Sequence, residues 1–94
     1  MIQPKISLFS AGKSFKALRV EGVAGACMPE HSSTMEAVVT ILSGKARLDI
    51  ADESHELEAA NVFVIPAGVP HSLVLVEDTL ASVVMPIESE IKFA

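Results

Sequence analysis

Short apolar runs, each closed by a glycine, a proline or a polar turn, recur along this chain and most restrict what it can fold into. KISLF ends at SAGK, FKALRVEG at Gly22, VAGACM at Pro29 and AVVTIL at Ser43-Gly44. ARLDI then gives way to ADES, NVFVI to PAGVP and SLVLV to Glu77-Asp78, and LASVVMPI follows. Some eight strands at this spacing predict an all-β sandwich or barrel and leave no room for alternating strands and helices. From Lys45 to Ile50, Ala46, Leu48 and Ile50 alternate with Lys45, Arg47 and Asp49, which gives that strand one wet face.

Two segments compete with this reading. Ser33-Thr34-Met35-Glu36 matches a helix capping box, and Gly44 would stop a helix over residues 34–43. Val38, Val39, Thr40 and Ile41 in succession decide for a strand, because β-branched side chains lose rotamer freedom against a preceding helical turn. ESHELEAAN is rich in helix formers but short and set between two strand-like runs, so a turn and a short strand are predicted there.

The 94 residues suit a single domain over residues 1–94, and no low-complexity tract, linker or repeat divides them. No run approaches the roughly 20 apolar residues of a membrane span, and the opening MIQPKISLF lacks the pattern of a secretory signal. A single cysteine, Cys27, permits no internal disulfide and reads as a buried, inert thiol. A cytoplasmic protein without a membrane partner is expected. The net charge is −5, and the seven basic residues are scattered, which argues against a nucleic-acid partner. The acidic stretch from Asp49 to Glu58 reads as a solvated face, with His55 exposed within it.

NVFVIPAGVPH, from Asn61 to His71, carries the most chemistry. A buried strand over Val62–Ile65 is predicted to end at Pro66, which cannot donate a ladder hydrogen bond. Gly68 allows positive φ, and Pro70 stiffens the chain before His71, so one imidazole is presented from a rigid corner. His31 opens the other motif, PEHSSTMEAVVTILSGK. These two segments resemble the motifs of small single-domain cupins: Gly25, His31 and Gly44 fall on the first, and Pro66, Gly68 and His71 on the second. The resemblance implies a cupin-type antiparallel β-barrel, jelly-roll-like and also described as a double-stranded β-helix. In metal-binding cupins two further ligands are a His and a Glu, and here Ser33 and Ala37 stand at those positions; Leu75 stands at the second motif's Asn, and Ala60-Asn61 replaces its leading glycine turn.

Two histidines therefore remain of a metal-ligand set. Glu36 is one residue from the lost Glu, and strand alternation turns it outward unless a bulge intervenes. Cys27 shares the alternation parity of His31 but lies four residues away, about 13 Å along a strand. The candidate ligand-binding residues are His31, Ser33, Met35, Val39, Ile41 and His71, with Ala37 beside them; His31 and His71 are the candidate metal ligands. The first reading is a pocket that binds an unidentified small molecule, with the two imidazoles as polar anchors. An alternative is a metal-dependent oxygenase or isomerase using zinc, nickel, iron or manganese on the two histidines plus water or a third ligand. Another is a dimerising structural or regulatory barrel. A sugar epimerase of the kind that resemblance associates with a His and Tyr pair is disfavoured, because the chain has no tyrosine and no tryptophan. The apolar content and the barrel edges predict a homodimer.

Overall fold

The computed structural model describes residues 2–93 and contains ten strands and no helix among them. They are β1 (Lys5–Ala11), β2 (Phe15–Gly22), β3 (Cys27–Ser33), β4 (Ala37–Ser43), β5 (Lys45–Ile50), β6 (Glu53–Glu58), β7 (Val62–Ile65), β8 (His71–Leu75), β9 (Thr79–Pro86) and β10 (Ile91–Phe93). One antiparallel sheet runs β1-β2-β9-β4-β7, and the second runs β10-β3-β8-β5-β6. This is the jelly-roll arrangement of a double-stranded β-helix, as the strand rhythm and the motifs imply.

The strand count rises from eight to ten because ESHELE pairs along its whole length with β5, from Lys45↔Glu58 to Ile50↔Glu53, and because Ile91–Phe93 adds an edge. Ala51 and Asp52, both at positive φ, close the β5–β6 hairpin in two residues. Two boundaries differ from the sequence reading. VAGACM does not form a strand that stops at Pro29; β3 starts at Cys27 and runs through Pro29 to Ser33. Val62–Ile65 is a sheet edge, where Val62 and Val64 face solvent and only Ile65 is fully buried.

The core lies between the sheets. Val39 and Ile41 of β4 and Met85 of β9 meet Leu48 of β5 and Leu75 of β8, each at most 2% exposed. Burying such side chains supplies most of the stability at roughly 1.5–3 kcal/mol apiece. The ion pairs Lys45–Glu56, Lys45–Glu58 and Arg47–Asp49 lie at the surface and add little.

Two turns set the strand ends. Gly44, at φ +88°, joins β4 to β5 so tightly that a Cβ there would collide with the carbonyl oxygen of Asp78 and the hydroxyl of Thr79. Ala60 also takes positive φ, 72°, where an L side chain is strained. Opposite effects of two reciprocal substitutions are expected in urea denaturation. Gly44→Ala should lose about 3 kcal/mol through strain and collision. Ala60→Gly should gain roughly 0.5–1 kcal/mol, since the relief of strain exceeds the added entropy of glycine; a loss at Ala60→Gly would refute the strain assigned to that turn.

Candidate functional site

The site is built on a β-bulge. β3 pairs with β8 as Cys27↔Val74 and Met28↔Leu73, then resumes as His31↔His71, so β3 spends one residue more than β8 over this interval. Pro29 sits in the bulge, where its missing N–H removes no ladder bond. The extra residue reverses the alternation, so that Met28 and His31 both face the interior together with Ser33. Cys27 consequently does not share the facing of His31; it is half-buried on the other face of the sheet, not fully buried.

His31 and His71 are directly opposed cross-strand neighbours, 6% and 4% exposed. Their ring centroids lie 4.3 Å apart in an edge-on arrangement with planes at 63°. Each ring is tied to the backbone two residues before it: His31 Nδ1 donates to the Pro29 carbonyl at 2.7 Å, and His71 Nδ1 donates to the Val69 carbonyl at 2.9 Å. A carbonyl can only accept, so both rings carry their proton on Nδ1 when neutral, and each Nε2 keeps a free lone pair. The PAGVPH corner supplies one of these carbonyls, and Gly68 adopts the predicted positive φ of 74° there. Burial pushes the His71 pKa down, and a positive charge on neighbouring His31 would push it further; the bond to Val69 opposes both.

The pair faces a cavity of about 40 Å³ between the two sheets. Ser33, Ala37 and Val39 line it as well, as do Met28, Leu73 and Met85. Met35 and Ile41 do not. Met35 lies in the turn after β3, 38% exposed, because the strand ends at Ser33 and its alternation goes no further. Ile41 has the inward facing of Ala37 and Val39 but is packed completely in the closed core, at 0% exposure. Glu36 is exposed in the turn before β4, as alternation predicts. His55 is not freely exposed: its ring packs on Phe63 at 4.8 Å between centroids, and Nε2 lies 3.3 Å from Glu53. Met28 and Met85 are wall residues that the sequence reading missed. The alternation of Thr79, Ala81, Val83 and Met85 signals the second, whereas the bulge hides the first. Phe93, the β10 neighbour of His31, brings its ring to 5.4 Å from the imidazole at the sheet edge.

Residues 19–87 match the cupin domain model. The chain belongs to the cupin family. No curated protein matches it. Among solved structures, a conserved protein of unknown function from Streptococcus pyogenes is similar at 27% identity, over 98% of this chain and 75% of that one, with a TM-score of 0.78. An RmlC-like cupin from Desulfovibrio desulfuricans shares 23% identity over 89% of this chain and 82% of its own, at a TM-score of 0.80. The polyketide cyclase RemF from Streptomyces resistomycificus shares 20% identity over 98% and 71%, at a TM-score of 0.85. The last two likenesses are of fold.

Cupins commonly bind transition metals. In this cupin the donor set does not fit the family's usual divalent site. The two free Nε2 atoms are suited to an ion, but Ser33 and Ala37 replace the other ligands. No group of three or more His, Cys, Asp or Glu side chains that could hold an ion exists among the described residues.

The lowered pKa of His71 gives stability a pH dependence of definite sign. As pH falls below the ordinary histidine value of about 6.5, the unfolded chain takes up a proton at this residue before the folded chain does. Stability is therefore full above that value and is lost as pH drops towards the folded pKa. Urea midpoints measured from pH 7.5 to 5.5 should decline, and the decline should be shallower in His71→Gln; equal slopes in both proteins would refute the effect.

Proposed function

We propose that this cupin is a binding protein whose ligand is anchored by Nε2 of His31 and Nε2 of His71. The observation that carries this reading is the locking of both imidazoles through Nδ1, which directs two unpartnered acceptors to an otherwise apolar cavity. Such a site selects a species that donates to nitrogen or accepts its lone pair, with Ser33 as a neutral third contact. A divalent-metal oxygenase or isomerase has weaker support, because catalytic metal sites ordinarily have three protein ligands and an open position.

The size of the cavity narrows the ligand. A volume of 40 Å³ admits about three water-sized groups, so only a very small molecule, or one end of a larger one, enters between the sheets. At a ceiling of about −1.5 kcal/mol per heavy atom, a neutral molecule of that size binds no more tightly than about millimolar. Ethanol, with one donor and a short apolar tail, is a suitable probe. Titration to roughly 100 mM, far above that limit, should move the ¹⁵N resonances of both Nε2 atoms saturably. If neither resonance moves, the pair is not a binding site.

We propose also that two copies pair through the outer face of the β1-β2-β9-β4-β7 sheet. Ala17, Val84, Val38 and Val64 form one uncharged row across four strands, and Val62, Val64 and Phe15 are 58%, 52% and 59% exposed. An apolar patch of this kind on a charged globule calls for a cover. Light scattering at micromolar concentration should give a dimer mass, reduced to that of the monomer by Val64→Lys; a monomer mass for the parent chain would remove the proposal.

A further inference from the structure

We propose that the cavity takes one cuprous ion, bound by Nε2 of His31 and of His71, with the thioethers of Met28 and Met85 as the remaining donors. The assignment rests on the reading of the two Nε2 atoms as a binding site and names its ligand. A neutral molecule that fits 40 Å³ is held weakly, whereas an ion forms coordinate bonds in the same volume.

Charge comes first. Every group that lines the cavity is neutral, and no carboxylate or thiolate reaches it: Glu36 is exposed beyond the cavity, and Cys27 faces the other side of β3. The solvation penalty of an enclosed ion grows with the square of its charge, so a monocation costs a quarter of what a dication does among such donors. Replacement of the family's acidic ligand by Ala37 removes the charge that would compensate a dication.

Donor type comes second. Met28 and Met85 line the same cavity as the imidazoles, from opposite sheets, with Met28 on β3 beside His31 and Met85 on β9. Register sets Met85 across from Ala37, since the adjacent pair is Val38↔Val84. A thioether thus stands next to the position from which the carboxylate is missing. Thioethers are soft donors that select Cu(I) over harder divalent ions, and methionine's three rotatable bonds let the sulfur adjust within the available space.

Angle comes third. An ion about 2 Å from each Nε2 would see two rings with centroids 4.3 Å apart at an angle of roughly 90°. The imidazoles are therefore adjacent ligands rather than a linear pair, and the open side of the ion faces the rest of the cavity wall, to which both methionines contribute.

The test uses the full chain with Cys27→Ser, which removes a thiol that would itself take up copper. Under anaerobic, reducing conditions the protein competes with bicinchoninate for Cu(I), followed by loss of chelate absorbance, and ¹⁵N resonances of both Nε2 atoms are recorded on the same sample. One equivalent should be withdrawn, with both Nε2 resonances shifted. Met28→Leu and Met85→Leu conserve volume and should keep the fold, and each should weaken Cu(I) binding at least tenfold; zinc should be lost on dialysis. Failure to withdraw copper, zinc retained as tightly as copper, or undiminished copper binding in both leucine variants would each overturn the proposal. Ethanol-induced shifts of the same Nε2 atoms separate these failures from a failure of the anchor reading: shifts with ethanol and none with copper leave the anchors standing, and no shift with either removes both.

Discussion

The site depends on the extra residue that β3 carries at Pro29-Glu30. In a regular strand, residues three apart face opposite sides of the sheet, so Met28 and His31 could not share a cavity. The bulge restores a common facing, and it forms where proline has no N–H to lose from the ladder. The freed Pro29 carbonyl then accepts the proton of His31 Nδ1, so the irregularity that turns the ring inward also fixes its tautomer. His71 obtains the same restraint differently, from Val69 in the turn ahead of β8. Two unrelated pieces of backbone thus hold both imidazoles in one protonation pattern, and the cross-strand register brings them together.

The barrel around the pair is nearly full. Leu48, Val39 and Met85 pack from both sheets, and the small residues Ser33 and Ala37 line the space that remains. In a close-packed interior, a side chain shortened by a few atoms leaves its volume to the cavity unless a neighbour moves in. The positions at which metal-binding cupins carry ligands are therefore where this cupin keeps its small opening. Surface charge has little part in this arrangement, because Lys45, Arg47 and their acidic partners lie on the outer faces of β5 and β6.

Periodicity and turn chemistry made most of the fold legible. Alternation in ARLDI, the β-branched run of β4 and the PAGVP corner each state locally what the sheets require globally, so local and tertiary preferences agree. Agreement failed where burial depends on neighbours. Val62–Ile65 is as apolar as a central strand, yet it ends its sheet, and no property of four residues shows how many strands lie beyond them. ESHELE has helix-forming composition, and its pairing with β5 overrides that preference.

The sequence alone determined the strand rhythm, the family, the rigid corner before His71 and the absence of the usual metal ligands, because each follows from residue type at a given spacing. Tertiary structure decided the rest. Alternation predicts facing only in a regular strand, so the bulge that aligns Met28 with His31, and thereby sets Cys27 on the other face, emerges only from the pairing with β8. Met35 and Ile41 were separated from the cavity by the end of one strand and by the depth of another, both consequences of packing. The cavity volume and the approach of Met85 from the opposite sheet arise from contacts between residues distant in the chain, which spacing along a single strand does not encode.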